Sequence, residues 1–196
     1  AVTKGLNPNA KMKDSGMEWI GEVPKHWTVS DLKRYSTIQT GKTPNTNKEQ
    51  YFEHEDVIWF TPGDFSDNNI YLKNSNRKID NIAISEREAI VYPINTVFLV
   101  GIGGTLGKIG IFDGPASCNQ QINAIICNKD IDKVFLAYYL HGMKNEIRLL
   151  SNAATLPILN QDKTAYIKIV IPPLPEQRTI ASYLDAETSK IDARIA

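Results

Sequence analysis

The sequence predicts an α+β chain: a mixed globular domain over residues 1–171, with an N-terminal arm over 1–27, and then a long coiled-coil-forming helix over 172–196. Three observations predict it. Short apolar runs bounded by glycine, proline and polar residues recur between residues 57 and 127, which is strand patterning. Residues 133–150 place apolar side chains at steps of three and four, which is helix patterning. A second pattern of that kind follows Pro172-Pro173-Leu174-Pro175 and runs to the last residue.

The elements follow in order. Residues 1–13 are polar and read as irregular. Trp19, Ile20, Val23 and Trp27, interrupted by Gly21 and Pro24, read as a packed arm that anchors two tryptophans. Residues 29–39 form a strand or a short helix leading into a turn at 41–45. Val57-Ile58-Trp59-Phe60 is a short buried strand closed by Pro62-Gly63. Ser85 is the expected cap of a short helix over 86–90. Residues 96–102, 108–112 and 121–127 read as strands. Asp132 caps a helix over 133–150 whose apolar face holds Val134, Phe135, Tyr138, Tyr139, Met143 and Ile147. A further strand is expected over 165–170.

The final helix starts well: Pro175 suits a first turn, and Glu176 suits the positive helix end. Gln177, Ala181, Leu184, Thr188, Ile191 and Ile195 then form an a/d stripe of about three heptads. Such a helix is ~33 Å long at 1.5 Å per residue. With that length and no capping residue at its end, it is expected to be cut in mid-helix and to pack against another helix. The competing arrangement folds the stripe back onto its own domain.

Composition bounds the function. The 22 Lys and Arg balance the 22 Asp and Glu, a balance unlike the basic bias of most DNA binders. The charge is uneven, however: residues 1–50 are net basic and 51–100 net acidic, so one face can still be basic. No apolar run is long enough for a membrane span, and the N-terminus has no export signal pattern. Cys118 and Cys127 are expected to be free thiols.

Catalytic patterns are missing from the sequence. Gly41-Lys42-Thr43 lacks the phosphate-loop glycine, because Ser36 stands there. The 101–104 glycine cluster lacks a dinucleotide fingerprint, because Leu106 stands where glycine is needed. No Asp/Asn-Pro-Pro-aromatic tetrad for adenine methylation occurs, and His26, His54 and His141 lack metal-ligand spacing. The chain is expected not to be an enzyme, and to need no cofactor or metal of its own.

Pro172-Pro173-Leu174-Pro175-Glu176-Gln177-Arg178-Thr179-Ile180-Ala181-Ser182-Tyr183-Leu184-Asp185, with Lys190-Ile191-Asp192, resembles the conserved helical region of type I restriction–modification DNA specificity subunits. Four more stretches match in order. They are Asp14-Ser15-Gly16 through Trp19-Ile20-Gly21 to Pro24-Lys25-His26-Trp27, then Thr40-Gly41-Lys42-Thr43-Pro44, Gly104-Thr105-Leu106-Gly107-Lys108-Ile109-Gly110, and Cys118-Asn119-Gln120-Gln121-Ile122-Asn123. The resemblance implies a target-recognition domain that reads part of a double-stranded DNA site, and a spacer helix that pairs with a second specificity half or with itself. It also implies methyltransferase and restriction subunits as partners in the cytoplasm. S-adenosylmethionine, ATP and Mg belong to those partners.

By the same resemblance the loops carrying Lys42, Thr43, Thr105, Lys108, Asn119, Gln120, Gln121, Thr155 and Lys163 are the candidate DNA contacts. The lysines suit phosphates. The Asn119, Gln120 and Gln121 amides suit adenine edges, or equally well brace the main chain. Ala181, Leu184, Thr188, Ile191 and Ile195 are the candidate helix interface. Two other readings stay open: a self-associating scaffold that binds protein, and the recognition part of a fused restriction–methyltransferase enzyme.

Overall fold

Strand patterning between residues 57 and 127 becomes a sheet buried on both faces. The computed structural model describes residues 1–54, 56–151 and 157–195. β1 (Met12–Asp14) and β2 (Glu22–Pro24) form an antiparallel pair with Met12 opposite Pro24, so the segment expected to be irregular ends in a strand. Beyond it Trp27 is buried but Trp19 is 46% exposed, so one tryptophan anchors the arm rather than two. β3 (Thr28–Asp31), a short turn of helix over Leu32–Arg34 and β4 (Ser36–Thr40) realise both alternatives for 29–39 in succession.

β5 (Val57–Phe60) stands where expected, and β6 (Lys78–Ile79) follows after a long loop. α1 (Asn81–Ser85) lies before Ser85 rather than after it. Asp80 is its cap, accepting from the Ile82 amide at 2.9 Å, while the Ser85 hydroxyl bonds back to the Ile82 carbonyl at 2.9 Å. Next come β7 (Thr96–Val100), β8 (Ile109–Ile111), β9 (Ser117–Cys118) and β10 (Ile122–Cys127).

Asp132 caps α2 (Lys133–Gly142) as expected, accepting from the Val134 and Phe135 amides at 3.0 Å each. The expected single helix is two: it breaks at Met143 (φ −100°, ψ 18°) and resumes as α3 (Lys144–Leu150). Gly142, a weak helix former, precedes the break. α4 (Gln161–Ala165) takes the start of the predicted strand, leaving β11 (Lys168–Ile171), and α5 (Leu174–Ile195) closes the chain.

The main sheet runs β4–β10–β7–β8 and is antiparallel throughout. β11 pairs with β3, and β5 lies between antiparallel β6 and parallel β9. Alternation sorts the core. Val97, Leu99, Ile125 and Cys127 face α2, α5 and β11, whereas Phe98, Val100, Ile122 and Ala124 face an aromatic cluster with Phe60, Phe65 and Tyr92. Cys118 and Cys127 are free and buried, and burial raises both thiols, Cys127 to about 12.

The first half of α5 packs on its own domain. Gln177 is fully buried: its carbonyl accepts from the Asp132 amide at 2.8 Å, and its amide donates to the carbonyls of Pro172 at 2.9 Å and Asp130 at 3.1 Å. Ile180 and Ala181 are buried, and Leu184 is packed against the same core. One turn on, Asp185 accepts from the Tyr71 and Tyr138 hydroxyls at 2.8 Å each, and Thr188 lies 3.3 Å from that Tyr138 hydroxyl.

This corrects the expected seam. Ala181, Leu184 and Thr188 face this chain's own α2 and the loop through Tyr71, because Tyr138 and Tyr71 cover the stripe before another helix could. Ile191 remains 54% exposed. Nothing is described of the Ile195 side chain. Leu184→Asp should therefore destabilise the domain itself by roughly 1–3 kcal/mol, as an unpaired buried charge does. Ile191→Asp, at an exposed position, should leave the melting temperature unchanged and lower the mass in solution of any self-associated form. Thermal melts and light scattering on both variants decide this.

α1 carries a pH-dependent contact. The His54 Nδ1 lies 2.5 Å from the Asp80 carboxylate, and that hydrogen bond raises the imidazole's pKa. The folded value lies above the ordinary 6.5. Its stabilisation is therefore complete below that pH and is lost as pH climbs through the raised value. As pH rises from below 6.5 through that raised value the melting temperature should fall, and His54→Gln should remove that part of the decline.

Candidate functional site

Register in the main sheet gathers the predicted loops. Thr40 lies opposite Asn123, Val100 opposite Ile122, and Leu99 opposite Ile109. Hence the segments 41–45, 119–121 and 101–108 all leave the same end of the sheet. The Thr40 hydroxyl donates to the Asn123 side chain at 2.9 Å and accepts from the Gln161 amide at 3.0 Å. The Asn123 amide donates to the Leu159 carbonyl at 2.7 Å and to the Thr164 hydroxyl at 2.9 Å. This network draws the 157–161 segment to the same end. The resemblance already names the loop carrying Thr155 and Lys163 as a candidate; what it does not foresee is the bonding that holds 157–161 here, for which a polar Asn123 inside an otherwise apolar strand was the available signal.

Gly41 is where two of these loops touch. A Cβ there would lie 2.3 Å from the Asn119 carbonyl oxygen and 2.4 Å from that of Cys118, so only glycine allows the approach. The contact is locked by the Lys42 amide, which donates to the Cys118 carbonyl at 3.0 Å, and by the Trp59 indole, which donates to the Lys42 carbonyl at 3.0 Å.

The candidate side chains then divide. Lys42 is exposed, with its ammonium 3.1 Å from the Arg87 carbonyl. Thr43 donates to the Gln120 side-chain oxygen, and Gln120 is exposed above it. Asn119 turns inward: its side chain accepts from the Gln121 amide at 3.1 Å and donates to the Gln121 side chain at 3.0 Å. Asn119 is thus a brace, and its partner Gln121 is half-buried.

Lys108 is also held inward. Its ammonium donates to the Phe65 carbonyl at 3.0 Å and lies 3.5 Å from Asp67, with 17% of the side chain exposed. Lys144 pairs with the same carboxylate and, ahead of Lys108, holds Asp67 below the usual carboxylate range. Thr105 is half-exposed in a turn pinned by Arg148, whose guanidinium donates to the carbonyls of Leu106 at 2.9 Å and Gly104 at 3.0 Å. Lys163 is exposed near the Ser151 carbonyl, at 3.2 Å. Thr155 lies outside the described residues. Among the described residues no group of His, Cys, Asp and Glu is arranged to hold a metal ion. Nor is any described helix long and apolar enough to cross a membrane.

The domain is built on a four-stranded antiparallel sheet with a long terminal helix, and it collects polar loops at one sheet end. The family model of the type I restriction modification DNA specificity domain matches residues 24–195, and the chain belongs to that family. The specificity subunit of the type I restriction enzyme MjaIX from Methanocaldococcus jannaschii is 29% identical over 169 residues, which is 84% of this chain and 38% of that protein. The HsdS subunit from Thermoanaerobacter tengcongensis has the same fold, with a TM-score of 0.65 at 18% identity over 96% of this chain and 41% of that one. A chain from a structure on complex assembly and conformational transition of a type I R-M system gives a TM-score of 0.67 at 19% identity, over 96% of this chain and 42% of that one. The chain spans less than half the length of the curated relatives it matches.

Gly41→Ala should show how rigid the loop junction is. Its methyl meets backbone oxygens, which cannot rotate away, so a loss of about 1–3 kcal/mol is expected in a denaturant titration.

Proposed function

We propose that this chain is a sequence-specific double-stranded DNA recognition module, which places methyltransferase and restriction subunits on a defined site in the cytoplasm. The family match over residues 24–195 carries the reading. The geometry supports it, since the exposed side chains of Lys42, Gln120, Gln161 and Lys163 and the half-buried Thr43 belong to segments brought to one end of the sheet. In this reading Lys42 and Lys163 contact phosphates, which position the domain without reading sequence. Gln120 offers its amide to a base edge. Asn119, Gln121 and Lys108 act by holding the loops that present the others.

The chain itself performs no chemistry. Methyl transfer and cleavage, with S-adenosylmethionine, ATP and Mg, reside in the partner subunits. The exposed outer side of α5, around Tyr183 and Ile191, is the surface for a second specificity half or a second copy.

The test is a salt titration of the full-length subunit with its methyltransferase partner, on a duplex enriched from a random pool and on random duplex. Lys42→Ala should weaken both and reduce the salt slope by roughly one unit. Gln120→Ala should cost about 1–3 kcal/mol on the enriched duplex and little on the random one. Failure of any sequence to enrich would sink the recognition reading, and methyl transfer by the chain alone would sink its non-catalytic part.

A further inference from the structure

Arg87 is, among the described residues, the one non-glycine residue with a left-handed backbone, at φ 62°. It stands just past α1. The Arg87 amide donates to the Ile84 carbonyl at 3.0 Å, and the Glu88 amide reaches back to that of Ala83 at 2.9 Å. Such a helix exit favours glycine, because a Cβ is disfavoured in the left-handed region. Local backbone energetics therefore do not account for an arginine here. Nor does any side-chain contact, since the guanidinium has no hydrogen-bond or ion-pair partner among the described residues.

Arg87, exposed, instead lines an open cleft of about 410 Å³ with Gly41, Lys42, Thr43, Glu88 and Gln120. Its lining includes two cationic residues, Lys42 and Arg87, and one carboxylate residue, Glu88. The Lys42 ammonium, donating to the Arg87 carbonyl, fastens the α1 exit to the Gly41 loop. The cleft thus opens at the sheet end where the candidate site lies.

We propose that this cleft holds one backbone phosphate of duplex DNA, with the Arg87 guanidinium as its main ligand and Lys42 as the second cation. The assignment rests on the recognition-module reading. A planar guanidinium presents two parallel N–H donors that match two phosphate oxygens. Glu88 keeps the net charge low, which suits one anion rather than a run of them. Thr43 and Gln120, bonded to each other, form the polar wall beside it.

The experiment uses the full-length subunit with its methyltransferase partner, a random-sequence duplex of about 30 base pairs as probe, and Arg87→Gly and Arg87→Lys variants. Arg87→Gly should lower the slope of log K against log salt by roughly 0.9. It should also melt at the same or a higher temperature, because glycine suits that backbone. Arg87→Lys should keep the slope, since the charge remains.

An unchanged slope in Arg87→Gly, with wild-type protein binding normally, overturns the phosphate assignment and leaves the recognition reading standing. So does a lowered melting temperature, which would make the arginine a support for the fold. A loss confined to one enriched sequence, without a slope change, would make Arg87 a base reader and also overturn it. Wild-type protein that binds no duplex overturns both. Inorganic phosphate at constant ionic strength should not shift the wild-type melt. A shift that Arg87→Gly abolishes would reassign the cleft to free anions.

Discussion

Pairing of β10 with two antiparallel neighbours is the constraint on which the rest depends. Its alternate residues are claimed by different cores: Ile125 and Cys127 by the helical side, Ile122 and Ala124 by the aromatic side. A slip of one residue would exchange those sets and place Asn123 among apolar side chains. The register is therefore held from both faces. Because β4 and β7 take their register from β10, the ends of three strands are level, and the loops beyond them share one surface.

What was legible in the sequence was local. β5 matches its expected residues because a four-residue apolar run ended by Pro62-Gly63 has one economical conformation. Asp132 announced α2 for a similar reason, since a cap acts on amides two and three residues away. The misplacement of α1 was also local: Asp80 and Ser85 are both cap residues, and only the fold decides which faces free amides. The break at Met143 was visible only as Gly142, a residue that weakens a helix without ending it.

The candidate site divides along the same line. That loops 41–45 and 119–121 are candidates could be read from the motifs that carry the family resemblance. That Asn119 points inward and Gln120 outward could not, because adjacent amides differ only in how the backbone aims them. Lys42 and Lys108 look alike as loop lysines, yet one is exposed and the other is tied to Phe65 and Asp67, which come from a distant loop. The Thr40–Asn123–Gln161 network spans 83 and 121 residues, and its one local trace is the polar Asn123 in an apolar strand, which names no partner.

The Gln177 clamp has a mechanical meaning. Three hydrogen bonds from one buried amide tie the root of α5 to the exit of β11 and the start of α2, and the Asp185 tyrosine pair grips it two turns later. A rod gripped at two points has a defined heading. Over the ~33 Å of a 22-residue helix, a tilt of about 5° at the root would move the tip by roughly 3 Å. A grip at the root and another at mid-length make the helix a lever of fixed aim, and the position of its tip is set by a glutamine near the other end.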